Sequence, residues 1–179
     1  MAFFDPPADE KLTPEVRQML AEYQRMNGTP AVPPTWRAFG RSPQIIEARF
    51  KAYQNLSYQS KFPWDARNVA IMLIAHAKRC QGCFAGARFQ LDKLGFDEAT
   101  LDGICANPEG LPLKERDRLF VRYAFRIGTD SVNLHPKDFR EMEAQGLSKG
   151  EIQQIIAFAA YWVMNIVFSQ AVSAALDEE

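Results

Sequence analysis

Asp65-Ala66-Arg67-Asn68-Val69-Ala70-Ile71-Met72-Leu73-Ile74-Ala75-His76-Ala77-Lys78-Arg79-Cys80-Gln81-Gly82-Cys83 is the stretch that decides how this chain folds. Val69, Met72, Leu73 and His76 fall at i, i+3, i+4 and i+7, the spacing of one helix face. Asp65 supplies a cap at the start. Two cysteines follow, and a second helix runs from them to Leu94-Gly95, so the pair lies at a helix–helix junction.

Cys80 and Cys83 stand one helical turn apart, which puts their Cα atoms roughly 5 to 6 Å from each other, within reach of a disulfide. Helix N-termini and nearby cations stabilise thiolates, and Lys78, Arg79 and Arg88 flank the pair. Reversible dithiol chemistry is therefore the leading reading. Zinc is the competing use of this spacing, but a structural site needs four ligands, and only Cys105, His76 and His135 remain. Two buried, inert cysteines near each other by chance is the other alternative. No cofactor and no metal is expected.

Outward from this pair the pattern is helical almost throughout, and the expected fold class is all-α in a single domain. Residues 1–60 supply N-terminal helices and a proline-rich connector, and residues 61–179 the helical core with the cysteines. Thr13-Pro14 opens a helix that stops at Asn27-Gly28, and Ser42-Pro43 opens another with Ile46, Phe50 and Tyr53 in line. Further helices are expected from Asp97 to about Cys105, about Leu113 to Ile127, Pro136 to Gln145, and Ser148 toward Leu176. Gly95-Phe96-Asp97 and Gly146-Leu147-Ser148 share one punctuation: a stop glycine, an apolar residue and a cap.

A net charge of −1 gives no general reason to expect nucleic acid or an anionic membrane as partner. Three cysteines with no charged-then-apolar leader at Met1-Ala2-Phe3-Phe4-Asp5 point to a reducing cytoplasm. Ile155 to Val172 carries no charge over 18 residues, the lower limit for crossing a bilayer. Asn165, Ser169 and Gln170 give that run a polar strip, so a central helix or a subunit interface explains it better than a membrane span. A homo-oligomer is expected.

These residues, in this order, resemble the alkylhydroperoxidase D-like branch of the carboxymuconolactone decarboxylase superfamily. The resemblance runs from Arg67-Asn68-Val69-Ala70-Ile71-Met72 to Cys80-Gln81-Gly82-Cys83-Phe84-Ala85-Gly86-Ala87. It continues through Leu94-Gly95-Phe96, Lys114-Glu115-Arg116-Asp117 and Gly146-Leu147-Ser148 to Val163. It implies an all-helical bundle, a trimer or multiple of three, and an antioxidant, peroxidase-like thiol enzyme in which Cys83 attacks a hydroperoxide and Cys80 resolves. The same pair would alternatively exchange with another protein's disulfide, and a redox-partner protein would return electrons.

The family's proton relay is missing. Its glutamate position, 12 residues before the first cysteine, is Asn68, and its histidine position, four after the second, is Ala87. Asn68 cannot carry a proton and Ala87 cannot even hydrogen-bond. His76 is the candidate substitute base, against the plainer reading of a histidine within an apolar face. Arg67 and Arg88 are candidates to hold an anion near the thiols, or else solvated surface cations. Two other functions remain open: a cysteine-independent decarboxylase-like enzyme for a small carboxylated ring compound, and a non-catalytic oligomeric binding protein.

Overall fold

The computed structural model describes residues 6–107 and 110–176. Among them there is no strand, and nine α-helices follow in order: α1 (Pro14–Asn27), α2 (Pro34–Arg37), α3 (Pro43–Ala52), α4 (Trp64–Ala77), α5 (Gln81–Lys93), α6 (Glu98–Ala106), α7 (Glu115–Asp130), α8 (Pro136–Ala144) and α9 (Lys149–Leu176). The all-α expectation holds. The chain divides into two compact units, one over the described residues up to Asn55 together with those from Val167 onward, the other Leu56–Ile166.

Capping explains most of the boundaries. The Thr13 hydroxyl accepts from the Val16 amide, and the Asp97 carboxylate from the Thr100 amide at 2.7 Å. Ser148 and Glu151 form a reciprocal box, with the Glu151 carboxylate accepting from the Ser148 amide at 2.9 Å. Asp65 departs from expectation: α4 starts one residue earlier, after Pro63, and the Asp65 carboxylate accepts from the Ala66 amide inside the first turn. The helix expected from Leu113 starts at Glu115, where Glu115 and Asp117 place negative charge against the positive end of α7. A π-helical stretch, Tyr53–Tyr58, follows α3 without any sequence signal.

In the first unit Trp36 is buried against the rings of Tyr23 and Tyr53, at 4.2 and 5.9 Å between centroids, and the Tyr53 hydroxyl donates to Asn27. Arg49, also buried, lies 4.1 Å over the Trp36 ring and donates to the Thr35 carbonyl.

The second unit is organised around α4, in which every residue from Ala66 to Ala75 is buried. A helix apolar on all sides belongs in the middle of a bundle. Phe62 stacks on Phe120 of α7 at 4.2 Å, and Phe120 meets Phe158 of α9 edge-on at 5.0 Å. Each fully buried side chain of this size stabilises by about 1.5–3 kcal/mol. By length and composition α9 is apolar enough to cross a membrane. Ile152, Ile155, Phe158 and Ala159, however, all belong to the buried core of this unit.

Three corners in this unit use one device. At Gly95 and Gly146 the chain turns left-handed (φ 90° and 91°), and the next amide reaches back to a carbonyl five residues earlier: Phe96 to Leu91, Leu147 to Met142. The α4–α5 corner repeats the pattern, with the Arg79 amide donating to His76 and the Cys80 amide to Ala75 at 2.9 Å. Here the left-handed residue is Arg79 (φ 56°), which costs a side chain bearing Cβ roughly 1–2 kcal/mol. Arg79→Gly should leave stability within about 1 kcal/mol of the wild type, the relieved strain offsetting the added freedom of the unfolded chain. Arg79→Val, β-branched, should lower it by about 1–2 kcal/mol, as read from urea unfolding midpoints.

Candidate active site

At the α4–α5 corner Cys80 is the N-cap of α5 and Cys83 its third residue. Cys80 is buried, 4% exposed, in a small apolar cluster with Ile74, Ala75 and Ile166; Cys83, Phe84, Phe125 and Val163 pack against that cluster and are half-buried. Both cysteines are free of any disulfide, and their sulfurs lie 2.7 Å apart. A small movement closes the disulfide. Cys83 is the more exposed of the two.

The Cys80 thiol is drawn down from its ordinary 9.0 to about 7. The largest cause is the hydrogen bond with the Cys83 thiol; burial opposes it, and the Cys83 amide adds a smaller lowering. Once the pair loses its first proton, the remaining thiol stabilises the charge by hydrogen bonding, which lowers the pKa. The flanking cations are not what lowers it. Cys105, on α6, goes the other way: burial raises its pKa, partly opposed by Arg88, which lowers its thiolate fraction at neutral pH.

His76 does not lie within the apolar face. It is exposed in the last turn of α4, its ring 5.5 Å from that of Phe84, and it makes no hydrogen bond to either sulfur. The sequence spacing misleads here because α4 is buried on every side until its end, so no single face marks what is core. Asn68 is buried and donates to the Trp64 carbonyl at 2.7 Å. Ala87 is 3% exposed, one turn beyond Cys83 on the inward side of α5.

Both candidate anion-holding arginines are otherwise engaged. Arg67 donates to the carbonyls of Ser57 and Tyr58 at 2.5 and 2.6 Å and lies over the Trp64 ring. Arg88 pairs with Asp102 at 2.7 Å and Glu98 at 3.7 Å, pinning α6 to α5. Among the described residues no three His, Cys, Asp or Glu side chains converge on one point. A groove of about 490 Å³ in the first unit is lined by Glu15, Glu22, Glu47 and Phe50 among others. It holds neither cysteine nor histidine.

No protein-family model matches the chain, and no curated protein matches it. Solved structures do. An uncharacterized peroxidase-related protein from Ralstonia eutropha JMP134, described as having an alkylhydroperoxidase AhpD core, superposes with a TM-score of 0.81 at 17% identity, over 99% of this chain and 92% of that one. The chain has the alkylhydroperoxidase D fold. A second peroxidase-related protein, from Silicibacter sp. TM1040, gives 0.79 at 18% identity over 96% and 90% of the two chains. The debrominase Bmp8 gives 0.76 at 15% identity over 94% and 88%. A cysteine-to-alanine variant of Bmp8 in complex with 2,3,4-tribromopyrrole gives 0.77 at 14% identity over 96% and 90%.

Removing the Cys83 thiol takes away the chief cause of the lowered pKa and leaves burial, so Cys83→Ala should return Cys80 to 9.0 or above, read by thiolate ultraviolet absorbance against pH. The sign for stability follows. A thiol whose pKa is lower in the folded than in the unfolded chain stabilises fully above the unfolded value, and the contribution is lost as pH falls through the folded one. The reduced protein should therefore gain stability between pH 7 and 9, and Cys80→Ala should flatten that slope.

Proposed function

We propose that this protein is a cytoplasmic thiol oxidoreductase that reduces a small electrophile, a hydroperoxide in the leading case, by converting Cys80 and Cys83 to a disulfide. The observation that carries this reading is the sulfur pair itself: two unbridged cysteine sulfurs 2.7 Å apart at a helix start, one residue buried and the other half-buried. Cys83 thiolate attacks the outer peroxide oxygen and the O–O bond breaks, giving a sulfenic acid and an alkoxide, which takes the Cys80 proton. Cys80 thiolate then attacks the sulfenic sulfur, and the departing hydroxide takes a proton from solvent. The products are the disulfide, an alcohol and water; an external dithiol or redox-partner protein returns the two electrons.

The proton inventory favours a second reading. A pair carrying one proton is one short for peroxide reduction, and neither Asn68 nor Ala87 supplies another. Reductive dehalogenation needs only the one: Cys83 thiolate takes the halogen from carbon, the carbanion takes the Cys80 proton, and Cys80 thiolate displaces halide from sulfur to close the disulfide. The fold shared with a debrominase supports this variant. The decarboxylase-like reading has less support, because Arg67 and Arg88 are both engaged with acceptors elsewhere.

Peroxide turnover should be slow, since a positioned proton donor typically contributes ~10²- to 10⁴-fold. The test presents reduced protein, without other thiols, to cumene hydroperoxide and to a bromopyrrole, measuring disulfide, alcohol and bromide. Cys83→Ser should abolish product formation and Cys80→Ser should stop at a sulfenic acid, while Asn68→Glu with Ala87→His should raise the peroxide rate if the surrounding helices keep the family geometry around the larger side chains. Unchanged rates in His76→Ala at equal stability would retire His76 as substitute base. Full activity in a variant lacking both thiols would sink the redox reading and favour the cysteine-independent branch.

A homo-oligomer, a trimer or multiple of three, belongs to this proposal. Ile156 and Met164 of α9 are exposed large apolar side chains with exposed Ala160 between them, a stripe that a second subunit would cover. Sedimentation at micromolar concentration should give a species larger than the 20.3 kDa monomer.

A further inference from the structure

Glycine weakens a helix interior, yet Gly128 sits buried inside α7. A Cβ at that position would lie 2.9 Å from Cδ1, 3.1 Å from Cγ1 and 3.3 Å from Cγ2 of Ile74 on α4. The first distance is shorter than carbon atoms tolerate, and Ile74 has no easy retreat. Its β-branch holds χ1 to one strongly preferred rotamer in a helix, so turning χ2 moves Cδ1 while both Cγ atoms stay. Ile74 is wholly buried in the cluster that contains Cys80, and the wall behind it is Ala75 and Ile166.

The backbone carries the same displacement to the thiols. The Ile74 carbonyl accepts from the Lys78 amide at 3.0 Å, and the neighbouring Ala75 carbonyl from the Cys80 amide at 2.9 Å. A methyl group on residue 128 would thus push the last turn of α4, and with it the N-cap of α5. We propose that Gly128 is a positioning residue for the thiol pair: by letting α7 approach Ile74 closely, it sets where Cys80 stands relative to Cys83. This rests on the thiol-pair reading of the site, but it concerns the geometry of the pair rather than any substrate.

Gly128→Ala separates the sulfurs and weakens the bond between them, so the shared titration near pH 7 rises toward the ordinary thiol value. A rise of about one unit lowers the thiolate fraction near neutral pH, and with it the iodoacetamide alkylation rate, by roughly five-fold. Ile74→Val removes the nearest atom, Cδ1, and in the Gly128→Ala background should restore at least half of the lost rate. Leu119→Ala, a truncation elsewhere on α7, is the control that lowers the unfolding midpoint without moving the titration.

If Gly128→Ala lowers stability while its titration and alkylation rate stay at wild-type values, Gly128 is a packing residue only and the proposal is overturned. Should Gly128→Ala not fold, Ile74→Val alone carries the test: it loosens the same wedge and should shift the titration, and an unchanged titration overturns the proposal equally. A shifted titration in a protein that never closes its disulfide with hydroperoxide or bromopyrrole would leave the positioning role standing and remove the proposed function.

Discussion

The hydrogen bond from the Cys80 amide to the Ala75 carbonyl is the constraint on which this end of the molecule depends. It closes α4, while the Cys80 carbonyl, accepting from the Phe84 amide at 2.9 Å, opens α5. At the other two corners of this kind in the second unit an apolar residue separates the left-handed glycine from the cap: Phe96 before Asp97, Leu147 before Ser148. Here the same residue ends one hydrogen-bond series and begins the next. There is no loop to flex, so the position of the buried sulfur follows from how α4 is packed. Because the accessible sulfur lies in the first turn of α5, closing the disulfide orders very little new chain.

Charge is distributed differently from what a row of nearby cations suggests. Arg88 ties α5 to α6, and Arg67 ties α4 to the carbonyls that end the π-helical stretch. Both act as structural clamps, their guanidinium groups donating where backbone and carboxylate acceptors lie. The negative charge of the dithiol is then held mainly by its own partner sulfur. That hydrogen bond exists only while both sulfurs are reduced and one proton remains between them. Oxidation removes the charge and the interaction stabilising it together, and no ion pair has to break for the disulfide to form.

How far the sequence shows this depends on which signals are local. Caps, stop glycines and apolar periodicity are local, and Thr13, Asp97, Ser148, Gly95 and Gly146 do in the structure what their residue types promise. The cysteine spacing is local too. The rest needed three dimensions: nothing in Arg79 announces a left-handed corner, because glycine is the usual sign and arginine adopts that conformation only under the two hydrogen bonds that hold it. The exposure of His76 is hidden for a related reason, since periodicity in a helix buried on all sides does not tell which residue emerges at the end. Gly128 reads as an ordinary glycine until Ile74 is placed opposite it.

The missing relay is more than a matter of two residue identities. Asn68 is buried with its amide on the Trp64 carbonyl, and Ala87 is buried in the main core of the unit. An imidazole on residue 87 would have to displace core side chains, an overpacking that typically costs 1–3 kcal/mol. The core has closed over the place where a second proton donor would stand. What remains is a dithiol with one sulfur buried and the other half-buried, Phe84, Phe125 and Val163 packed against the same cluster, and an exposed histidine against the Phe84 ring. On the proposed dithiol chemistry the two candidate reactions differ in proton demand, since halogen transfer to sulfur consumes one proton and peroxide reduction consumes a second, which solvent would have to supply.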